Sequence, residues 1–365
     1  MSQLIETQRD FDIICGEAVE MPWVGLDTEF RRIRTYYPKL CLIQVSTKDK
    51  TVCIDPLANL DFSAFTKLLT NPSVLKIFHS ARQDLEVLSL VFNVKPTPLF
   101  DTQIAAQLCG YREQIGYADL TERICGVSLA KEHTRTDWCR RPLSGSEVEY
   151  ALDDARYLGP IYSRLEAELV KLNRVGWVNE DCERLVDLDI AATGSQRAIE
   201  KIQSRASSFD QTKQSVAYEL AMWREAKAQS RDTPREWILR SEELLAIVEE
   251  LPRYCKDLDR SLRLATLDGS RWKTEFPAVI KRGVEKAESY QSMKPSVRPS
   301  SKEKRREQIL WNHLVDTCLA ANISTGTVSS RNEIRKLSRG EKDLDLLRGW
   351  REKFIGRDLC AIFWS

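Results

Sequence analysis

The stretch Val24-Gly25-Leu26-Asp27-Thr28-Glu29-Phe30 decides how the first half of this chain folds. Its apolar start predicts a buried strand, and Asp27 and Glu29 follow two positions apart. Because side chains alternate along a strand, the two carboxylates are expected on the same face. Neighbouring carboxylates repel each other, so a shared proton, a nearby cation or a bound divalent metal must compensate them. The stretch alone leaves a metal site and a solvated strand end both open.

The apolar pattern around this stretch predicts a mixed α/β sheet. Three strands in close succession favour an antiparallel meander, and the later strands alternate with helices. We expect strands at 23–30, 40–46, 51–54, 74–79 and 98–101, and helices near 11–19, 81–92, 103–108, 118–125 and 144–172.

Two of these helices begin with a capping signature, in which a serine is followed three residues later by Gln or Glu. Ser80 with Gln83 predicts the start of the helix at 81–92. Ser144 with Glu147 predicts the start of the long helix at 144–172. Asp84 is therefore expected in the first turn of the earlier helix.

The second half of the chain has helical patterns only. Strand patterns stop near residue 175, and helical periodicity is found at 212–230, 241–250, 254–267 and 272–288. A segment with Ser, Pro and Lys then indicates a linker before more helical sequence. The expected divisions are an α/β domain at 1–175, a connecting segment at 176–210, a helical domain at 211–289, a linker at 290–302 and a second helical domain at 303–365.

The composition is typical of a soluble globular protein, with 42% hydrophobic and 30% charged residues. The formal net charge of +1 neither predicts nor excludes a nucleic-acid partner, because local patches decide that. No apolar run has the length of a membrane span and the plan of a signal peptide is missing, so we expect a cytoplasmic protein without a membrane partner. The ten cysteines include no Cys-x-x-Cys pair, which favours reduced, mostly buried thiols.

Four carboxylates at predicted element ends, together with a tyrosine, carry the chemistry: Asp27, Glu29, Asp84, Asp154 and Tyr150. Tyr150 and Asp154 share a helix face, whereas Asp153 lies about 100° away around the same helix. Four converging carboxylates carry a charge of about −4, which two divalent cations would neutralise. Two metals can activate a water and stabilise a leaving oxygen, and a phenol can orient that water. The set therefore predicts a two-metal phosphodiesterase.

Four motifs resemble those of the DEDD superfamily of exonucleases, in the form that has a tyrosine in the third motif. They are Asp-Thr-Glu-Phe at 27–30, His-x4-Asp-Leu-Glu-Val at 79–87, Phe-Asp-Thr-Gln at 100–103 and Tyr-x3-Asp at 150–154. Two further stretches resemble the ribonuclease D family: Arg-Thr-Tyr-Tyr-Pro-Lys-Leu at 34–40 and Arg-Thr-Asp-Trp-x2-Arg-Pro-Leu at 135–143. The helical part is similar to that family's HRDC domains through Trp223-Arg224 and Pro234-Arg235-x-Trp237-Ile238-Leu239, and less closely through Gly349-Trp350-Arg351.

This resemblance implies a ribonuclease H-like mixed-sheet exonuclease domain followed by two HRDC-like helical bundles. It implies that the four carboxylates bind two Mg²⁺ or Mn²⁺ ions, that Tyr150 orients the water, and that Glu29 also contacts the terminal 3′-OH. Asp101 belongs to a motif but is expected to be structural. The implied reaction is metal-dependent 3′→5′ removal of single nucleotides from RNA, releasing nucleoside 5′-monophosphates. Transfer-RNA precursors and other structured RNAs with a single-stranded 3′ end are the implied substrates, and we expect a monomer.

Basic and aromatic residues outside the acidic set are candidate substrate contacts, because guanidinium groups suit phosphates and rings suit bases. We assign this role to Phe30, Arg34, Tyr36, Tyr37, His79, Arg135, Thr136, Trp138 and Arg141. Trp138 could instead pack its loop against the sheet. His79, just before a helix, is expected to be a hydrogen-bonded structural residue rather than a metal ligand. Trp223 and Trp350 are expected to anchor helix packing in domains that bind or position nucleic acid.

Two other functions stay open at the level of sequence. A DNA exonuclease of the proofreading or helicase-associated type would use the same chemistry, because only contacts to the 2′-OH separate RNA from DNA. A non-catalytic nucleic-acid-binding protein would use the same fold without the reaction.

Overall fold

The computed structural model of the chain describes residues 3–130, 136–251, 275–293 and 299–364. The chain divides into two compact units. The first comprises Met1–Arg31, Lys39–Leu188 and Pro299–Ser365, and the second comprises Arg32–Pro38 and Asp189–Arg298. Among the described residues, no helix combines the length and the apolar character that crossing a membrane requires.

The first unit is built on a six-stranded mixed sheet. Its strands are β1 (Leu4–Ile5), β2 (Trp23–Arg31), β3 (Lys39–Ser46), β4 (Thr51–Ile54), β5 (Leu75–Phe78) and β6 (Leu99–Asp101). Their order is β1-β4-β3-β2-β5-β6. Strands β2, β3 and β4 form the antiparallel meander that the sequence predicts, and β5 and β6 add to it in parallel. The short β1 was not predicted; it pairs in parallel with β4 at the sheet edge.

Eight helices accompany this sheet in the described part of the chain up to residue 188. They are α1 (Gln8–Val19), α2 (Ser63–Thr70), α3 (Arg82–Phe92), α4 (Thr102–Leu108), α5 (Tyr117–Cys125), α6 (Gly145–Arg156), α7 (Leu158–Lys171) and α8 (Val175–Asp187). The single long helix expected at 144–172 is wrong in one respect, because the chain leaves helical geometry at Tyr157 and so forms α6 and α7. Helix α2 was not predicted.

Strand β2 lies at the centre of the packing. Val24 and Leu26 are fully buried, as the apolar start of the strand predicts. Gly25 permits a close approach, because a side chain there would collide with Ser46 of β3 and with Leu158 at the start of α7. Asp27 and Glu29, which follow Gly25, therefore lie on a strand that packs closely against its neighbours on two sides.

In its described residues, the second unit consists of the segment Arg32–Pro38 and a set of helices with their connections. Its helices are α9 (Ile190–Ala206), α10 (Gln211–Ser230), α11 (Arg235–Ile238), α12 (Ser241–Glu249) and α13 (Phe276–Glu285), followed by a 3₁₀ turn at Ala287–Ser289. Trp223 packs edge-on against Phe276, with 5.1 Å between ring centres, which confirms its role as a packing anchor. The helix predicted at 254–267 and the start of that predicted at 272–288 lie outside the described residues.

The last helices of the chain belong to the first unit. They are α14 (Ser301–Ala320), α15 (Thr325–Val328), α16 (Arg331–Ser338), α17 (Gly349–Arg351) and α18 (Arg357–Trp364), with a 3₁₀ turn at Asp345–Leu347 and a π-helical segment at Glu352–Gly356. Trp350 stacks on Trp177 of α8 at 4.4 Å between ring centres. Arg351 makes an ion pair with Asp181, which also lies on α8, at 2.6 Å. Trp350 is therefore a packing anchor as well, as expected from the sequence.

The expectation of reduced thiols is wrong for one pair of cysteines. Cys41 on β3 and Cys139 in the loop before α6 form a disulfide across 98 residues of sequence. Their Cα atoms are 5.1 Å apart, within the range that a disulfide bridges. The sequence could not show this because the two residues become neighbours only when the loop folds onto the sheet. The other seven cysteines of the described residues are free.

Candidate active site

Asp27 and Glu29 stand next to each other on β2. In the antiparallel register they are paired with Gln44 and Leu42 of β3. Both side chains therefore project from the same face of the sheet, as strand alternation predicts. The register shifts between Glu29 and Phe30, so the regular alternation ends just after the second carboxylate.

Asp84 is placed by the first turn of α3. It is buried, and its Oδ1 accepts a hydrogen bond of 2.5 Å from the Thr28 hydroxyl. The predicted capping by Ser80 is wrong: Ser80 has a positive φ of 59° and α3 has no side-chain cap. Instead, Asp101 at the end of β6 accepts hydrogen bonds from the backbone N–H of Ser80 (3.0 Å) and Ala81 (2.8 Å). Asp101 is thus structural, as expected.

Helix α6 carries Tyr150 and Asp154 towards β2. The predicted capping box is confirmed, since Ser144 accepts from the N–H of Glu147 and the Glu147 carboxylate accepts from the N–H of Ser144. A carboxylate oxygen of Asp154 lies within 4.8 Å of oxygens of Asp27 and Glu29, close enough for one ion to bind all three. Asp153 points elsewhere and pairs with Arg156, as the helix geometry predicts.

The local environment strongly disfavours charge on these carboxylates. Burial raises the pKa of Asp27 well above its usual range, and the charges of Asp84, Asp154 and Glu29 add to the effect. Burial likewise raises the pKa of Glu29 to about 8, and that of Asp84 and of Asp154 to about 7. Without a cation the site therefore keeps protons near neutral pH.

Tyr150 stays protonated beside this cluster. Burial raises its pKa to about 12, and the negative charges of Asp154, Glu29 and Asp27 act in the same direction. Its ring stacks on Trp138 with 6.1 Å between ring centres. At neutral pH the residue is a neutral phenol with a fixed ring, which suits a hydrogen-bond donor rather than a base.

The acidic residues line a pocket of about 360 Å³. Sequence reasoning missed four residues of its wall: Thr28, Ser80, Gln83 and Tyr117. The first three lie inside the motifs at 27–30 and 79–87, in which only neighbouring residues were assigned to the site. Tyr117 stands alone in sequence, at the start of α5, and no signal there marks it. Its hydroxyl donates to the carbonyl of Asp153 and accepts from the N–H of Tyr157, both at 3.0 Å.

Two of the assigned substrate contacts, Phe30 and His79, line the pocket. His79 is also held inside the fold, because Nε2 lies 3.0 Å from the carbonyl oxygen of Ile115 and Nδ1 lies 2.9 Å from the hydroxyl of Thr102. Burial lowers its pKa. The expectation of a hydrogen-bonded structural histidine is confirmed, and its substrate contact stays a prediction.

Two of the assigned residues in the loop before α6, Trp138 and Arg141, make contacts within the fold. Trp138 is 5% exposed and packs on Tyr150, so its ring fixes the loop against the site. Arg141 donates to both oxygens of the buried Asp55 at 2.6 Å and to the carbonyl of Cys41. Thr136 is half-buried at the start of the described part of this loop, and Arg135 lies outside the described residues.

Arg34, Tyr36 and Tyr37 belong to the second unit. The backbone N–H groups of Tyr36 and Tyr37 both donate to Asp232 at 2.9 Å, and the Tyr36 hydroxyl donates to Glu225 at 3.0 Å. Arg34 is exposed and has a positive φ of 64°. The structure therefore gathers Asp27, Glu29, Asp84, Asp154 and Tyr150 within the first unit, whereas Arg34, Tyr36 and Tyr37 are part of the second.

Comparisons with known proteins show which family the chain resembles. A family model described as a 3′-5′ exonuclease matches residues 2–170, and one for the HRDC domain matches residues 213–264. The ribonuclease D of Jannaschia sp. (strain CCS1) is 34% identical, covering 99% of this chain and 95% of its own length. That of Nitrobacter hamburgensis is 32% identical, covering 98% and 94%. The crystal structure of Escherichia coli RNase D, an exoribonuclease involved in structured RNA processing, matches with a TM-score of 0.83 at 29% identity, covering 100% of this chain and 99% of that one.

Proposed function

Because the chain belongs to the ribonuclease D family of 3′→5′ exoribonucleases, we propose that it hydrolyses RNA with two divalent metal ions held by its buried carboxylates. Nucleotides leave one at a time from the 3′ end as nucleoside 5′-monophosphates. The observation that carries the proposal is the convergence of three carboxylates within 4.8 Å, with Asp84 in the same pocket.

The donor set fits Mg²⁺ or Mn²⁺. Both ions prefer carboxylate oxygens, and burial, together with the neighbouring carboxylate charges, raises the pKa of Asp27 and of Glu29, so a bound cation would offset a real cost. Asp27, Glu29 and Asp154 would hold one ion, and Asp84 would help to hold the second. When bound, the pair would supply an activated water and stabilise the charge that develops on the leaving oxygen.

The side chains in and beside the pocket have distinct roles in this scheme. Tyr150 donates a hydrogen bond that orients the attacking water, because its phenol is neutral at the working pH. Thr28 fixes the Asp84 carboxylate through its short hydrogen bond. The rings of Phe30, His79 and Tyr117 line the pocket and offer surfaces on which the terminal base stacks. The pocket volume of about 360 Å³ lies at the small end of the range for ligand sites, which suits a single terminal nucleotide.

The wider biological assignment belongs to the same proposal. We place the activity on structured RNAs with a single-stranded 3′ end, such as transfer-RNA precursors, in the cytoplasm and in a monomer. The helical segment at 211–289, of which 213–264 matches the HRDC model, positions the RNA, and the segment at 303–365 is a second domain of the same kind. Arg34, Tyr36, Tyr37, Arg135, Thr136, Trp138 and Arg141 remain candidate RNA contacts.

The proposal is tested by comparing Asp27→Asn with a matched neighbour, Asp153→Asn. Both variants remove one carboxylate charge and little volume, but Asp153 pairs with Arg156 outside the pocket lining. With 5′-labelled RNA and Mg²⁺ or Mn²⁺, we expect Asp27→Asn to lose at least about 10³-fold in rate and Asp153→Asn to keep most of it. Equal activity of wild type and Asp27→Asn would overturn the metal assignment. A DNA oligonucleotide of the same sequence, if degraded faster than the RNA, would overturn the substrate.

A further inference from the structure

A second cavity lies in the first unit, outside the catalytic pocket. Its volume is about 630 Å³, larger than that of the catalytic pocket. It opens between the end of α5 and the first half of α7. Side chains that line it include two arginines, two tyrosines and an isoleucine: Arg123, Arg164, Tyr111, Tyr157 and Ile124.

The two cavities share a structural wall. Tyr117 lines the catalytic pocket and Tyr157 lines the second cavity, and the N–H of Tyr157 donates to the hydroxyl of Tyr117 at 3.0 Å. Helix α5 runs from one to the other, with Tyr117 at its first position and Arg123 in its last turn. At 1.5 Å per residue, Tyr117 and Arg123 are therefore only about 9 Å apart along the helix axis.

The charges around this cavity favour an anion, with one opposing group. Burial raises the pKa of Tyr111, and Glu168 adds to the rise while Arg164 and Arg123 act against it, so all three charged groups lie near this phenol. The Glu168 carboxylate accepts from Nε of Arg164 at 2.7 Å. Two guanidinium groups and one carboxylate leave a single net positive charge. An anion that enters therefore has to compete with Glu168 for Arg164.

We propose that this cavity is a second nucleotide-binding subsite. Arg123 and Arg164 hold the phosphate, and the rings of Tyr111 and Tyr157 with the side chain of Ile124 provide the surface for the base. The subsite adds a ligand position that the catalytic mechanism does not need. The same chemistry is offered by a nucleotide of the RNA chain itself and by a free nucleoside monophosphate.

Because Glu168 competes with the ligand for Arg164, substitutions of these two residues are expected to change the binding affinity in opposite directions. Arg164→Ala removes a phosphate ligand and is expected to weaken binding by about 5–10-fold. Glu168→Gln frees the same arginine from its competitor and is expected to strengthen binding by about 2–5-fold. A variant that merely disturbs the fold would weaken binding in both cases. Arg357→Ala, which removes another exposed arginine from an ion pair with Glu352, is the control.

The experiment measures equilibrium binding in the Asp27→Asn full chain, so that turnover does not interfere. The probes are a labelled RNA dinucleotide, a labelled RNA octanucleotide and AMP, each with and without the Arg164 and Glu168 substitutions. Changes confined to the octanucleotide assign the subsite to the RNA chain, and changes confined to AMP assign it to a free nucleotide. Affinities that the two substitutions leave unchanged for all three probes, or lower in both cases, overturn the proposal. The dinucleotide reports on the catalytic pocket separately, and hydrolysis of labelled RNA by the wild-type chain tests the proposed function independently.

Discussion

Asp154→Asn should make the metal-free protein more stable, and increasingly so as the pH rises. In the folded protein burial raises the pKa of Asp154 from its ordinary 3.8 to about 7. A group whose pKa is raised by folding contributes stability that is complete below the unfolded pKa and is lost as the pH rises through the folded value. The wild-type carboxylate therefore costs progressively more stability between about pH 4 and pH 7, and an amide avoids that cost.

The magnitude follows from the same shift. One pKa unit corresponds to about 1.4 kcal/mol, so raising the pH from 5 to 7 costs the wild type up to about 3 kcal/mol through this one carboxyl group. Comparing the two pH values removes the intrinsic effect of replacing an acid by an amide, because that effect is present at both. In a unit of this size, about 3 kcal/mol corresponds to a difference of roughly 5–10 °C in Tm.

The assay is calorimetric unfolding in EDTA at pH 5, 6, 7 and 8. The advantage of Asp154→Asn over wild type should grow with pH up to about 7 and then level off. Asp358→Asn, at an exposed position on α18, is the control and should show no such growth. Adding Mg²⁺ should stabilise the wild type more than the variant, because the cation replaces the protons. An advantage of the same size at pH 5 and pH 8 would refute the reasoning.

Three further substitutions separate the roles in the site. Tyr150→Phe should lower kcat by about 10–100-fold while the metal concentration for half-maximal rate stays the same, because the phenol orients water without holding metal. Thr28→Val should move the rising limb of the pH–rate profile to higher pH, because the hydrogen bond from Thr28 lowers the pKa of Asp84 and its loss raises that pKa; an unmoved limb contradicts this. Asp101→Ala should lower the free energy of unfolding by about 2–4 kcal/mol in urea titrations, because it removes the acceptor of four backbone N–H groups. A loss below about 1 kcal/mol would exclude that role.

Local patterns predicted most of the catalytic strand and its neighbours. The alternation along β2 places Asp27 and Glu29 on one face, and the spacing of four places Tyr150 and Asp154 on one side of α6. The capping pair at the start of α6 is local as well and was predicted correctly. Each of these features depends on residues only a few positions apart, where geometry follows directly from secondary structure.

Features that depend on distant parts of the chain were not accessible in the same way. The backbone at the start of α3 is held by Asp101, about twenty residues away, so the serine signature at that point was misleading. Tyr117 lines the pocket and donates a hydrogen bond to the carbonyl of Asp153 on α6, a contact that no local pattern encodes. The disulfide between Cys41 and Cys139 likewise arises only when the loop before α6 meets β3.

The most direct test of the central claim is the digestion of a 5′-labelled RNA with an unstructured 3′ tail, with product lengths followed over time as Mg²⁺ or Mn²⁺ is titrated. We expect no cleavage in EDTA and a ladder that shortens from the 3′ end in single nucleotides. The rate should rise more steeply than in proportion to the metal at low concentration, because two ions are required. RNA that is bound but stays intact at every metal concentration would contradict the account.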